Sequence, residues 1–80
     1  MIIKTLFFGI TTDLVGTSQL EIKVSNNTSV NDFKESLKAT YPQLQNINSY
    51  SIAVNESYAN DDLILQENDV VAVIPPVSGG

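Results

Sequence analysis

The chain offers few side chains that could do chemistry by themselves. It has neither histidine nor cysteine among its 80 residues. This excludes a Ser-His-Asp triad, a thiol nucleophile and the usual ligands of a structural zinc ion. Its serine, threonine and tyrosine hydroxyls have no histidine to activate them as nucleophiles. Two features are left to consider, a group of carboxylates and the closing stretch AVIPPVSGG.

Four carboxylates lie close together in the last third of the chain. They are Asp61, Asp62, Glu67 and Asp69. A calcium loop needs alternating carboxylates around a central glycine, and this spacing does not match it. The carboxylates are therefore predicted to cap turns and to keep the protein in solution, and no metal site is predicted. The glycines also match no phosphate-binding pattern, so a nucleotide would have to be held by another protein.

The closing stretch combines stiffness with an absence of side chains. The residues predicted to enter a partner are Pro75, Pro76, Val77, Ser78 and Gly79. The two prolines hold the backbone extended, and a glycine lets the walls of a narrow channel close around it. The predicted reactive group is the α-carboxylate of Gly80. Because a carboxylate is a poor acyl donor, a separate enzyme would use ATP to convert it into an acyl-adenylate. A linker or an inert tail is the alternative interpretation.

The charge balance indicates the kind of partner. The formal net charge is -5, and all four basic residues are lysines. A nucleic-acid-binding protein would show the opposite balance, whereas an acidic chain suits a basic protein surface. No apolar run approaches the roughly 20 residues that cross a bilayer. The sequence therefore predicts a cytoplasmic protein that binds neither nucleic acid nor membrane.

Hydrophobic periodicity predicts the elements that would carry the tail. Residues 2–8 read as a strand with apolar groups on both faces, followed by a short turn or a single helical turn that ends at Gly16. Residues 18–24 alternate with period two and would form a hairpin with the first strand. Residues 30–41 have helical spacing, with a capping pair at Ser29 and Asp32 and a stop at Pro42.

The second half of the chain returns to strand patterns. Residues 49–55 alternate, and a tight turn at Asn55 and Glu56 leads to a short edge strand. A loop follows, with an apolar plug predicted at residues 63–65. The last strand, residues 70–74, is apolar at every position and is predicted to be buried on both faces.

These elements predict an α+β fold of the β-grasp (ubiquitin-like) type. It would have a mixed sheet of about five strands and one main helix on one face, with the first and last strands as parallel neighbours. A ferredoxin-like fold would need a second amphipathic helix, and the sequence has none. Residues 1–75 would form the domain, and residues 76–80 a flexible tail.

A partner surface is predicted where the first and last strands end. Phe7 and Phe8 must point to opposite sides of their strand. One of them would fill the core, and the other would lie exposed beside Ile74 as part of a partner-binding patch. Both phenylalanines and Ile74 are therefore candidates, with burial of both rings as the alternative.

Several stretches of the chain resemble a known family. They are IKTLFFG, GITTDLVGT, SIAVNESYANDDLILQENDVVAVI and VAVIPPVSGG. Together they resemble the small subunit of molybdopterin synthase, the MoaD-type ubiquitin-like sulfur carriers, over essentially the whole chain. A Gly-Gly end is shared by every ubiquitin-like modifier and by the thiamine-pathway carrier. The PPVSGG ending is much more specific.

The resemblance implies a function. In this family an E1-like adenylyltransferase activates the terminal glycine, Gly80 here, at the expense of ATP. The glycine then receives sulfur as a thiocarboxylate, enters the large subunit of the synthase and donates the sulfur to cyclic pyranopterin monophosphate. The implied assembly is a heterotetramer of two small and two large subunits. The chain would be its sulfur-donating, non-catalytic subunit and would bind no cofactor.

One departure and two alternatives accompany the resemblance. Family members commonly carry an arginine where this chain has TTDL at residues 11–14, so any contact which that arginine makes with a partner is not expected here. The same tail chemistry could serve thiamine or another sulfur metabolite. Alternatively, the chain could be a ubiquitin-like protein modifier that forms isopeptide bonds through Gly80.

Overall fold

A computed structural model of the protein describes residues 1–46 and 50–75. Its elements, in chain order, are β1 (Ile2–Phe7), α1 (Ile10–Val15), β2 (Gln19–Lys23), α2 (Val30–Thr40), a 3₁₀ helix (Pro42–Asn46), β3 (Ser51–Val54), β4 (Ser57–Tyr58) and β5 (Val70–Ile74). The predicted order of the five strands and the main helix is confirmed, whereas the 3₁₀ helix was not predicted. Ser49, assigned by the sequence to the third strand, and the predicted tail of residues 76–80 lie outside the described residues, so the division into domain and tail stays a prediction.

The strands form one mixed sheet in the order β2-β1-β5-β3-β4. β1 and β5 are parallel neighbours at its centre, as predicted, with Thr5 beside Val71 and Phe7 beside Val73. The hairpin of β1 with β2 and the pairings of β3 with β5 and β4 are antiparallel. This topology, with one main helix, is the β-grasp arrangement.

The core lies between one face of the sheet and α2. Ile3, Phe7, Val71 and Val73 point inward and are almost fully buried, whereas Ile2 is 51% exposed. The prediction that the last strand is buried on both faces is therefore wrong. Val71 and Val73 are buried and the other β5 positions are only half-buried. The physical reason is that a single helix can cover only one face of a sheet.

The main helix follows its predicted boundaries closely. Ser29 caps its start, with the side-chain oxygen accepting a hydrogen bond from the Asp32 amide at 3.1 Å. Val30, Phe33 and Leu37 form its buried face. The helix ends at Thr40, one residue before the predicted end. None of the helices in the described ranges is long and apolar enough to cross a membrane.

Turn residues account for part of the acidic group. Asn55 and Glu56 both have positive φ, 51° and 72°, which is the geometry of a tight hairpin turn. The Asp69 carboxylate accepts hydrogen bonds from the Gln66 amide at 2.7 Å and from the Asn55 side-chain amide at 2.9 Å. The predicted turn-capping role is thus confirmed for Asp69.

The apolar plug is narrower than predicted. Leu65 is 1% exposed, but Leu63 and Ile64 are 43% and 40% exposed. The segment is tied to the start of α2 by backbone hydrogen bonds, from the Val30 amide to the Leu63 carbonyl at 2.8 Å and from the Leu65 amide to the Thr28 carbonyl at 2.9 Å. These two bonds hold the segment at the edge of the core, where only Leu65 is fully buried.

We expect Leu65→Ala to lower the free energy of unfolding by about 2–5 kcal/mol, because it removes a fully buried side chain and leaves a cavity. The matched control is Leu63→Ala, a change of the same chemistry at a half-exposed site, which should cost less than about 1 kcal/mol. Urea denaturation followed by circular dichroism measures both. Equal losses for the two variants would contradict the assignment of Leu65 alone as the plug.

Candidate functional site

The predicted reactive tail begins where the described structure ends. Gly80, Gly79, Ser78, Val77 and Pro76 lie outside the described residues, and Pro75 is the last residue whose position is given. What the structure defines is the place from which the tail leaves the domain. We call Phe8, Gly9, Ile10, Ile74 and Pro75 the tail-exit region.

The strand that leads to the tail is held on both sides. β5 lies between β1 and β3, and its last residue, Ile74, is in register with Ser51 of β3. Val71 and Val73 are both fully buried. Because backbone hydrogen bonds and buried side chains both restrain this strand, Pro75 has a defined position at the end of a central strand.

Gly9 supports the beginning of the tail. A Cβ atom built on Gly9 would lie 3.0 Å from Cγ of Pro75, closer than ordinary van der Waals contact. Gly9 has φ 56° and ψ -135°, a conformation essentially restricted to glycine. The residue is therefore required both for the turn after β1 and for the close approach of Pro75. The sequence alone does not single out Gly9 for this role.

Two threonines hold the turn that carries Gly9. The Thr11 hydroxyl, fully buried, accepts a hydrogen bond from the Phe8 amide at 3.0 Å and donates one to the Phe8 carbonyl. The Thr12 hydroxyl donates to the Phe7 carbonyl at 3.0 Å. These threonines occupy the TTDL segment, where the family resemblance leads one to expect an arginine. In this chain the segment fastens α1 to the end of β1.

The sequence analysis missed this role, although a signal was present. Threonines placed three to five residues after the end of a strand can bond back to its last backbone groups. The run FFGITT has that spacing. From the sequence alone, residues 11–14 stand out only because they lack the arginine of the family.

Apolar side chains are exposed around Gly9. Phe8 is 48% exposed and Ile10 is 53% exposed, while Ile74 and Pro75 are half-buried. Phe7 is 2% exposed and belongs to the core, so its assignment to the partner surface is wrong. A strand directs successive side chains to opposite faces, and the inward position is the one that α2 covers. Phe8 and Ile74 keep their predicted place, and Ile10 joins them.

One acidic side chain of the domain has a basic partner. Asp61 pairs with Lys34, with 3.1 Å between the carboxylate oxygen and Nζ. Within residues 1–46 and 50–75, the acidic side chains nowhere form a group that could hold a metal ion. Burial raises the pKa of the Tyr50 phenol, and the nearby Glu35 carboxylate adds to this effect. The ring of Tyr50 lies 5.8 Å from Lys34 Nζ, and Tyr50 belongs to the core cluster.

Comparison with known proteins assigns the chain. The model of the ThiS family matches residues 5–80, from β1 through the final glycine. The chain belongs to the ThiS family. A ThiS-family relative in Caenorhabditis elegans, a molybdopterin synthase sulfur carrier subunit, is 38% identical over 81 residues, covering 98% of this chain and 96% of the relative.

Solved structures agree with the fold of this ThiS-family chain. Small archaeal modifier protein 1 from Haloferax volcanii superposes with a TM-score of 0.84 at 18% identity, covering 95% of this chain and 98% of that one. A chain from the complex of subunits 1 and 2 of the molybdopterin-converting factor of Helicobacter pylori also superposes on this chain. The TM-score is 0.70 at 23% identity, and the match covers 100% of both chains. These likenesses establish the β-grasp fold.

We expect Gly9→Ala to lower the free energy of unfolding by about 1–3 kcal/mol, because the new methyl group meets Pro75 and the backbone is strained. Gly16→Ala is the matched control, since Gly16 also has positive φ, 91°, but has open space around its Cβ position. Thermal denaturation measures the loss of stability in both variants. A smaller loss at Gly9 than at Gly16 would refute a supporting contact between Gly9 and Pro75.

Proposed function

We propose that this chain is the sulfur carrier subunit of a molybdopterin synthase. The observation that carries the proposal is its full-length similarity to the Caenorhabditis elegans subunit of that name. The fold adds a physical reason. The domain holds the start of its tail at one place, at the end of a central strand and against Gly9, which has no side chain to keep Pro75 away.

The proposed reactive group is the carboxylate of Gly80. One of its oxygens would attack the α-phosphorus of ATP on an E1-like adenylyltransferase, forming the acyl-adenylate and releasing pyrophosphate. Sulfur at the oxidation level of sulfide would then attack the acyl carbon, and AMP would leave with the electron pair of the broken bond. The product is a thiocarboxylate. Because the chain has no cysteine, it has no thiol that could hold the sulfur elsewhere.

The proposed recipient is cyclic pyranopterin monophosphate in the large subunit of the synthase. Pro75, Pro76 and Val77 would guide the tail, while Ser78 and Gly79 would pass through the narrowest part of the channel. The exposed side chains of Phe8 and Ile10 would contact the large subunit beside its channel. The net charge of -5 suits a basic partner surface. Two small and two large subunits would form the assembly, in the cytoplasm.

Incubation with a purified E1-like enzyme, ATP and a sulfide source should increase the mass of the protein by the replacement of one oxygen with sulfur. Intact-protein mass spectrometry measures this change. Deleting Gly80 should abolish the mass increase and the formation of molybdopterin, while leaving the melting temperature nearly unchanged. Gly79→Val should block the same step by filling the channel.

Other outcomes of that experiment would favour other functions. Conjugates with lysines of other proteins would indicate a modifier, and sulfur transfer to a thiazole precursor would indicate a thiamine carrier. A Gly80 deletion that still matures molybdopterin would refute the proposal.

Phe8→Asp should weaken binding to the large subunit at least tenfold, because it replaces an exposed apolar contact beside the tail with a charge. Ile2→Asp is the matched control. Ile2 is exposed to a similar degree, 51% against 48% for Phe8, but it lies at the opposite end of β1. Isothermal titration calorimetry of both variants distinguishes the two positions. Equal weakening would mean that the contact is not centred on the tail-exit region.

A further inference from the structure

The outer edge of the sheet at β2 is unpaired. β2 is the first strand in the sheet order, and its only partner within residues 1–46 and 50–75 is β1. An edge strand presents a row of backbone donors and acceptors that another strand can use. β2 is five residues long, whereas the opposite edge strand, β4, has only two. The β2 edge is thus the longer free edge of the described sheet.

The hydrogen bonds to β1 define which backbone groups face outward. The N-terminal ammonium of Met1 donates to the Val24 carbonyl, and the Val24 amide donates to the Met1 carbonyl, each at 2.9 Å. The Phe7 amide donates to the Ser18 carbonyl at 2.9 Å. Bonded pairs alternate along an antiparallel ladder, so the even-numbered β2 residues are the ones that bond to β1. The amides and carbonyls of Gln19, Glu21 and Lys23 therefore point to the free edge.

The order of side chains in β2 is complementary to itself. Around Ile22 the sequence reads Leu-Glu-Ile-Lys-Val. If a second copy pairs antiparallel with Ile22 at the centre, Glu21 of each copy lies opposite Lys23 of the other. Opposite charges directly across a ladder are favourable. In this register Glu21 and Lys23 are also the residues whose outward backbone groups exchange hydrogen bonds.

Neighbouring registers are worse. Centring the pair on Glu21 would place two carboxylates directly opposite each other. A slip by one residue would bring the apolar positions of one copy against the charged face of the other. The Ile22-centred register therefore satisfies the backbone groups and the pattern of faces, and it also pairs opposite charges.

The inner face of β2 has apolar surface left to cover. Leu20, Ile22 and Val24 pack against the core but remain half-buried. A groove of about 310 Å³ runs between β2 and α2 beside them. In the Ile22-centred register, Leu20 of one copy lies opposite Val24 of the other, so each copy adds apolar cover at the open side of this groove.

We propose that two copies of this chain associate through their β2 edges, antiparallel about Ile22, to form one continuous sheet of ten strands from the five of each copy. Ile22 lies beside Ile3, near the start of β1, whereas the tail-exit region lies at the ends of β1 and β5, so both tail-exit regions stay open in the dimer. The contact is short, which makes the association weak and dependent on concentration. The inference does not depend on the chemistry of Gly80.

Sedimentation velocity of the full chain over a range of concentrations tests the proposal. The wild-type protein should shift from monomer towards dimer as concentration rises, and added salt should reverse the shift by screening the charge pairs. Glu21→Lys alone and Lys23→Glu alone should each abolish the dimer, because both place like charges opposite each other. An equimolar mixture of the two variants should restore it, since every pair is then opposite in charge.

Matched controls separate this pairing from a general effect of charge. Glu56→Lys changes the net charge as Glu21→Lys does, but at an exposed residue in the turn between β3 and β4, at the opposite edge of the sheet, and should leave the dimer intact. Failure of the mixture to associate, or a protein that stays monomeric up to its solubility limit, would overturn the proposal.

The register has its own test, because the chain lacks cysteine. Ile22→Cys should form an intermolecular disulfide on oxidation, since the two copies of residue 22 would lie directly opposite each other within bonding distance. Glu21→Cys should not, because residue 21 faces residue 23 of the other copy. Crosslinking of Glu21→Cys but not of Ile22→Cys would refute the register, as would equal crosslinking of both. Thermal denaturation of the reduced variants verifies that each remains folded.

Discussion

The parallel pairing of β1 with β5 is the constraint on which the rest of the molecule depends. It joins the two ends of the chain at the centre of the sheet, where Phe7 lies beside Val73. The pairing brings the turn after β1 next to the residue that follows β5, which is why Gly9 meets Pro75. The tail-exit region is thus built from residues more than 60 positions apart in sequence. Any change that loosens this pairing would therefore displace the whole tail-exit region.

A single helix on a five-stranded sheet leaves surface for partners. α2 covers one face of the sheet, so the apolar residues of β1 and β5 divide into a buried row and a row that is exposed or half-buried. An 80-residue chain has little material with which to cover more. The exposed apolar side chains at the tail exit and the free edge of β2 are consequences of the same shortage. The tail-exit region lies at the ends of β1 and β5, whereas the proposed contact is centred on Ile22, beside Ile3 near the start of β1, so both can be occupied at once.

In the proposed chemistry, this chain holds the reacting carboxylate and other proteins carry out the reaction. The chain supplies no histidine or cysteine, and within the described residues it brings no group of acidic side chains together as a metal site. Its contribution would be to hold a carboxylate on a stiff, side-chain-free extension while other proteins supply the nucleotide, the sulfur and the acceptor. A domain with this task needs a rigid point of attachment and recognisable surfaces. The buried central strands provide the first, and the tail-exit region provides the second.

The sequence by itself determined the elements, because hydrophobic period, capping residues and turn residues are local properties. Ser29, the Asn55-Glu56 turn and the period-two pattern of β2 led to the correct element types, and the crossover rule led to the parallel central pair. Only the tertiary structure decided that Phe7 rather than Phe8 is buried, that β5 is covered on one face, and that Leu65 alone fills the plug. It alone showed the contact of Gly9 with Pro75 and the bonds of Thr11. These features depend on which face the helix covers and on contacts between distant parts of the chain, and neither is encoded in a local pattern.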